Sequence, residues 1–413
     1  MKVLWFANTP CGAAEKIAPN LHIGGWLNSL EQQLVLRSDI ELSVCFYWKF
    51  PLNSFKHKST NYYPIHRNKI TRSIFRLFGH LDDKNEVMKL LQVIEEVKPD
   101  VIHVHGTEEN FGLIQQYTKI PVVISLQGIL LPYSEKFFVG IPFSAAYFHE
   151  GLMPKLKYNS ILLAYNRMKK CAIRESEILS QAGFVLGRTD WDKRVNSVLA
   201  PNSQYFIGNE ILRPQFYERL WDKKHFENEI QLVTTMSGGL YKGLETLIKT
   251  AKILNDHKGF NFKWTIIGQT ESSELVKIIK GWLKIDFKSN NIHFVGGKSE
   301  SELVNILLMS DIYIQVSHIE NSPNSVGEAM LIGMPIIASF AGGTDSMVEN
   351  RKEGLLVQDG DCYSFAGAIL ELARDFPLAA ELATSANKRA KERHNKIVIE
   401  NELFALYEQI KLK

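Results

Sequence analysis

Two carboxylates eight positions apart, Glu320 and Glu328, lie between glycine turns, one in a polar loop after a strand and one in the helix that loop opens. That places them at the end of a parallel sheet where doubly wound folds bind ligands. Upstream, the Gly-rich run Ser237–Gly243 carries one lysine, Lys242. Glycines such as Gly238 give an anion access to backbone N–H groups, and the lysine adds a mobile point charge, a combination suited to a diphosphate. It is not a Walker A loop, because the spacing and the Lys-Ser/Thr pair are missing. Nearer the N-terminus, Gly24 and Gly25 precede a helical pattern from Trp26 to Leu36. Such a pair could bring backbone against a phosphate or a sugar, or simply make a tight turn.

Other polar residues admit a bland reading beside a functional one. Asp190 and Asp192 have metal-binding spacing, but they open a helix, where acids are favoured by the macrodipole. Asp359 and Asp361 repeat the spacing, and Asp361 reads as a helix N-cap. Cys11, Cys45, Cys171 and Cys362 are scattered, without CxxC or histidines at ligand spacing, so they read as reduced thiols and no metal site is expected.

The elements needed to position these groups alternate between strand and helix. Lys2–Ala7, Ile40–Tyr47, Val101–His105, Pro121–Leu126 and Ala182–Leu186 read as strands, with an amphipathic helix over Val87–Val97. Such alternation predicts parallel sheets, and it places His105 and Gln127 at strand C-termini, on the ligand side. The pattern resumes with strands at Gln231–Met236, Phe262–Ile267, Ile292–Val295, Ile312–Val316, Ile336–Ser339 and Gly354–Val357. Ser325 and Val326 then fall at the start of the helix that follows the Glu320 loop. Residues 209–228, with Pro214 and mixed charge, read as a linker between domains at 1–208 and 229–392; Pro377 is expected to interrupt the helical pattern after Tyr363–Arg374, and residues 393–413 form a last helix, expected to pack back towards the first domain.

At 413 residues two domains are the default, and 45% hydrophobic with 23% charged residues is globular composition. A formal charge of +3 gives no reason to expect nucleic acid. The apolar N-terminal run is too short for a signal peptide, and no window reaches the length of a membrane span. The expected location is cytoplasmic, with contact at the inner face of the membrane as an option. That option rests on residues 48–80, where Lys49, Lys56, Arg67, Arg72 and Arg76 interleave with Trp48, Phe50, Phe75 and Phe78, and on the Lys-rich run 155–170. A solvated face over an aromatic core is the simpler explanation for the first, and a core-facing amphipathic helix for the second.

Glu320 and Glu328, the Gly-Met-Pro turn at 333–335, the strand after it and Gly342-Gly343 together resemble the Glu-x7-Glu signature of the retaining nucleotide-sugar glycosyltransferases of family 4. Gly24-Gly25, the segment 99–105, Lys242-Gly243 and Leu355–Val357 with Asp361 fall in that family's order, so the resemblance covers nearly the whole chain. It implies the GT-B fold, two Rossmann-like α/β domains with parallel sheets facing across a cleft, the N-terminal one for the acceptor. By position, it implies that Glu328 holds donor ribose hydroxyls, Glu320 contacts the donor sugar, and Lys242 neutralises the leaving diphosphate, helped by backbone N–H groups near Ser325 and Val326. Gly24, Gly25, His105, Arg188, Ser237 and Gly238 join the donor-binding set. Two departures matter. No arginine lies in 234–241, so phosphate neutralisation rests on Lys242 and backbone dipoles, or on a base from elsewhere such as Arg188; and Gln127 stands where the family often has histidine. Gln127 can hydrogen-bond a sugar hydroxyl but cannot take a proton.

The resemblance therefore implies metal-independent transfer from a UDP- or GDP-linked sugar to a saccharide or lipid-linked saccharide, in bacterial surface polysaccharide or glycolipid assembly, with no cofactor. A nucleotide-sugar epimerase on the same fold and a non-catalytic membrane-surface protein are the alternatives. A nicotinamide enzyme is disfavoured, since no Gly-x-Gly-x-x-Gly follows Lys2–Ala7.

Overall fold

Five successive buried residues after Lys2 make the central strand β1 (Lys2–Ala7). Val3, Trp5 and Ala7 enter one core and Leu4 and Phe6 another, so both faces of the strand are covered, which is why it reads as a continuous apolar run. In this computed structural model, residues 1–18, 25–78, 83–157 and 159–412 are described. Contact clustering divides the chain into one unit of residues 1–134, 162–211 and 394–413 and another of 135–161 and 212–393.

In the first unit β1 is joined by β2 (Glu41–Trp48), β3 (Phe55–His57), β4 (Thr60–His66), β5 (Val101–His105), β6 (Val122–Ser125), β7 (Phe184–Gly187) and β8 (Gln204–Ile207). The order is β3-β4-β2-β1-β5-β6-β7-β8, parallel except for the β3–β4 hairpin. Ala7 lies opposite both Phe46 and His105, so these strands end together. The helix Lys396–Lys411 belongs to this unit. Trp5 Nε1 donates to the Tyr407 hydroxyl at 3.0 Å, and that hydroxyl lies 2.6 Å from His103 Nδ1. His103 Nε2 is in turn 2.5 Å from Ser125 Oγ. Burial holds this imidazole neutral, with its pKa lowered to about 3. The neutral ring carries one N–H, so it donates to one of these two hydroxyls and accepts from the other.

The second unit holds β9 (Glu229–Thr235), β10 (Asn261–Ile267), β11 (Ile292–Gly296), β12 (Ile312–Gln315), β13 (Ile336–Phe340) and β14 (Leu355–Gln358), all parallel, in the order β11-β10-β9-β12-β13-β14. Chain direction across the sheet reverses between β9 and β12, so the loops leaving these two strands border the crevice that such sheets use for ligands.

Three expectations change. Residues 135–161 lie inside the expected domain 1–208 but pack in the second unit. The expected linker 209–228 is folded: Leu212 and Phe216 are buried with Met330 and Leu331, and Trp221 donates from its indole to Ser310 O at 2.8 Å. Pro377 does not interrupt a helix; it sits in the first turn of Phe376–Arg393, where its missing N–H has no helical partner to lose. Asp361 is the N-cap foreseen, accepting from Ser364 N at 3.0 Å. Asp192 closes a capping box with Thr189. Among the described residues, no helix is long and apolar enough to cross a membrane.

Candidate functional site

At the reversal point of the second sheet, the loop after β9 ends in a single turn, Leu240–Lys242, followed by Gly243 at φ +76°. A Cβ on Gly243 would lie 2.0 Å from Val316 O, so only glycine lets this loop touch the backbone leaving β12. Gly342 presses the same loop further along: at φ +59°, its Cβ would stand 1.8 Å from Glu320 O, and Gly343 N donates to that oxygen at 2.9 Å. The Glu320 backbone is thus fixed by the glycine pair after β13. The glycines of the sequence motif act by contact with backbone.

Between these loops Lys242 Nζ meets Glu320 Oε1 at 2.6 Å, beside a cavity of about 640 Å³ whose wall also includes Ser237, Lys298, Asn324 and Ser325. Burial opposes the Lys242 charge, but Glu320 outweighs it and holds the ammonium above its ordinary pKa. Ser325 lies in the first turn of the helix Asn324–Leu331, whose N-cap, Pro323, offers no side-chain cap. Val326 is buried, and its N–H is already bonded to Pro323 O at 2.9 Å, so in this ligand-free geometry it does not face the cavity as a donor. Gly238 is exposed beside Gln269 and does not line the cavity.

Glu328 lies deeper on that helix. Both its oxygens accept from Arg213, through Nε and Nη2, each at 2.7 Å. Burial holds this carboxyl above its ordinary pKa, a rise that Arg213 only partly reverses; burial likewise opposes the Arg213 charge, which Glu328 holds above its ordinary value. A carboxylate has about four lone-pair sites, so two are left over by Arg213, but Glu328 is buried and neither residue lines the Lys242 cavity. Arg213 was hidden in the supposed linker; its signal was a lone cation set between buried Leu212 and Phe216.

Behind the Glu320 loop, His318 was also missed. Its Nε2 is 2.6 Å from Glu245 Oε1 and its Nδ1 is 3.3 Å from Asp359 Oδ2. Burial opposes protonation there, but the two carboxylates win and raise the pKa. Gly140, from the 135–161 segment, abuts this pair so closely that a Cβ would fall 2.1 Å from Glu245 Oε1. Lys136 of that segment is 3.8 Å from Asp359.

The remaining expected residues belong to the first unit. His105 is fully buried, edge-on to Trp5, with its pKa pushed well below the ordinary value by burial and then by His103 and Arg188. Neither ring nitrogen has a hydrogen-bond partner among the described residues. The Arg188 guanidinium lies 4.1 Å over the Trp26 ring, and its Nε is 3.8 Å from Glu210. His105, Arg188 and Trp26 share a cavity of about 230 Å³. Gln127 is half-buried beside Gly106 and outside that cavity. Next to it is a group the sequence did not flag: Glu108, raised by burial to about 7, with Oε2 2.1 Å from where a Gly106 Cβ would be. Gly25, at φ +94°, is the N-cap of the helix Trp26–Leu34, while Gly24 lies outside the described residues. The expected residues thus form two groups, one in each unit. Arg188 belongs to the first unit, and the second cation in the wall of the Lys242 cavity is Lys298. Among the described residues, no three His, Cys, Asp or Glu side chains are placed to hold a metal.

Residues 218–393 match the family described as Glycosyl transferases group 1. Over 229 residues the chain is 24% identical to the amylovoran biosynthesis glycosyltransferase AmsK of Erwinia amylovora, covering 53% of this chain and 54% of that one. The chain therefore spans about half the length of this relative. Over 98 residues it is 32% identical to the UDP-Gal:alpha-D-GlcNAc-diphosphoundecaprenol alpha-1,3-galactosyltransferase of Escherichia coli, covering 24% of this chain and 23% of that one. Among solved structures, sucrose-phosphate synthase from Thermosynechococcus elongatus superposes with a TM-score of 0.74 at 15% identity, covering 99% of each chain. The shared fold is the GT-B fold.

Proposed function

We propose that this protein is a retaining glycosyltransferase of family 4, moving a sugar from a nucleotide diphosphate to an acceptor hydroxyl in bacterial surface polysaccharide or glycolipid assembly. The carrying observation is the Lys242–Glu320 pair, set beside a cavity at the reversal point of a parallel sheet and fixed by Gly243 and Gly342. The family match over 218–393 contains all of these residues. The name of the Escherichia coli relative pairs a UDP-linked sugar with a diphosphoundecaprenol acceptor, which supports the same classes here, a UDP-linked donor and a lipid-linked saccharide.

In this reading the donor diphosphate enters the cavity and takes over the Lys242 ammonium from Glu320. The carboxylate, freed of its partner but held by its loop, turns to donor sugar hydroxyls. The backbone at the Asn324–Leu331 helix start and Lys298 add positive potential around the phosphates. The two unused lone-pair sites of Glu328 take ribose hydroxyls, and Arg213 keeps that carboxylate ionised. The bond from the sugar anomeric carbon to the phosphate oxygen breaks, and the acceptor oxygen bonds that carbon from the same face. The acceptor proton passes to the departing phosphate oxygen, so no metal and no side-chain base is required. Gln127 orients a hydroxyl. The enzyme works at the inner face of the cytoplasmic membrane.

Thermal-shift screening against UDP- and GDP-sugars, followed by transfer assays on saccharide acceptors with the product anomer read by NMR, tests this. The expected outcome is stabilisation by one nucleotide family and a product of the donor's anomeric configuration. No nucleotide diphosphate raising the melting temperature would sink the reading, and an inverted product would remove retention.

A further inference from the structure

Two loops of the first unit leave the ends of neighbouring strands, one after β5 through Gly106, Thr107 and Glu108, the other after β6 through Gln127. One turn of the helix Ile161–Ser180 holds both. Arg174 Nη2 donates to Glu108 O at 2.6 Å, and the Thr107 hydroxyl donates to Glu175 Oε1. Glu175 Oε2 accepts from Leu131 N at 3.0 Å, just past Gln127. A single buried carboxylate thus ties the two strand ends together. Loops at the ligand side of a parallel sheet carry function when a rigid element fixes them in this way.

What this support presents is a carboxyl oxygen without a partner. Glu108 Oε2 is buried and makes no hydrogen bond among the described residues, although the residue as a whole is only half-buried. It lies against Gly106, whose φ is +91°. A Cβ on Gly106 would stand 2.1 Å from Glu108 Oε2 and 3.5 Å from Gln127 Cδ. The absent side chain therefore leaves one hollow that the Glu108 carboxyl and the Gln127 amide flank. The charged neighbours do not complete the carboxyl. Glu109 is bonded to Arg67 at 2.7 Å, and Arg174 reaches the Glu108 carbonyl. Burial holds the Glu108 carboxyl up at about 7, Glu175 and Glu109 add to the rise, and Arg188 offsets only part of it. An unpaired buried carboxyl oxygen costs stability, so the fold alone gives no reason to keep this one.

We infer that Glu108 and Gln127 form the seat for two neighbouring hydroxyls of the acceptor sugar, the Glu108 carboxylate accepting from one and the Gln127 amide bonding the other, so that Glu108 sets which acceptors are used. The inference rests on the proposed transfer function and adds to it the residue that recognises the acceptor. A saccharide diol suits the pair: a hydroxyl supplies the donor that Oε2 lacks, and a hydroxyl can both give to and accept from an amide. Oε2 has no bond to give up when such a hydroxyl draws it from the Gly106 hollow. Glu108 takes no proton from the acceptor and no part in breaking the bond to the donor phosphate.

The probes are the methyl β-glycosides of glucose, galactose and N-acetylglucosamine, titrated into the full chain with UDP or GDP present and followed by saturation-transfer NMR. Expected is binding of at least one glycoside, weakened roughly 10- to 100-fold by Glu108→Gln, the worth of one hydrogen bond to a charged group. The variant should melt no lower than the native chain and be stabilised equally by the nucleotide. Among the monodeoxy forms of the bound glycoside, the one lacking the hydroxyl held by Glu108 should bind native and variant chains alike. Native affinity should fall as pH drops through about 7, where the carboxylate is lost, while Glu108→Gln stays flat. Unchanged glycoside affinity in Glu108→Gln overturns the proposal. So does a lowered melting temperature with nucleotide binding lost alongside, which would make Glu108 a support of the fold. Deoxy forms that all respond alike to the variant overturn contact with a particular hydroxyl, and a native profile flat between about pH 6 and 8 overturns the part of the charge. No glycoside bound while UDP or GDP raises the melting temperature overturns the seat and leaves the transfer reading standing. Neither nucleotide raising it would instead sink the transfer reading.

Discussion

The Lys242 cavity of the second unit and a cavity of about 350 Å³ in the first, lined by Lys49, Arg67, Arg72, Arg76 and Glu109, both expose cations to a hollow, but they treat the charge differently. Lys242 is matched by Glu320 at 2.6 Å, and Arg213 is matched twice over by Glu328. Around the other cavity the one acid in the wall, Glu109, is spent on Arg67. Matched charge keeps a buried site in order while it is empty and gives a ligand an exchange of partners, which favours discrimination over raw affinity. Unmatched charge at a surface costs little in water and attracts any sufficiently dense anionic plane, which suits docking.

Substitutions can break this contrast. The largest effect is expected from Arg213→Leu, which strands a buried carboxylate; a loss of about 3–5 kcal/mol should appear as a lower denaturant midpoint. Adding Glu328→Gln should restore most of it, and no restoration would mean that the pair is not the cause. Next comes Lys242→Ala. On the proposed role of Lys242 at the leaving diphosphate, the loss should lower kcat by roughly 10²–10³, the cost of removing one transition-state donor, while KM for the donor changes less. A KM effect alone would make Lys242 a ground-state contact.

His318 should show a smaller, pH-dependent effect. Its pKa is raised in the folded state, so its stabilising contribution is complete below about pH 6.5, the unfolded value, and is lost as pH rises through the folded value. The native protein should therefore be favoured over His318→Gln by about 1.5 kcal/mol on the acid side, with the difference shrinking at alkaline pH. Equal pH profiles for the two proteins would remove the ionic role. The smallest effect belongs to the surface: Arg72→Glu should change stability by no more than about 0.5 kcal/mol, since it breaks no pair, and a clear loss on denaturant titration would show that Arg72 supports the fold.

The parallel sheets were legible because strand and helix periods alternate plainly, and the Glu320 loop stood out because carboxylates, glycines and a lysine recur between strands. Partners from distant sequence were not legible. Arg213 meets Glu328 from 115 positions away and Glu245 meets His318 from 73, and no local pattern reports such a meeting. The hairpin of β3 and β4 escaped notice because its residues read as a basic-aromatic surface, and β8 because its four residues are too short to show a period. Pro377 misled as a breaker because the sequence gives no sign of which helical turn a proline occupies. The 135–161 excursion looked like part of the first domain because chain order was the only guide to membership.

The hydrogen bond between Trp5 and Tyr407 spans 402 residues of sequence. On the ribosome, the central strand of the first unit emerges long before the helix that supplies its tyrosine. The second unit, enclosed within that interval, can finish folding first. Until Tyr407 arrives, the buried face of Trp5, His103 and the neighbouring strands lacks its covering helix, and the nascent chain is at its most vulnerable to chaperones and proteases there.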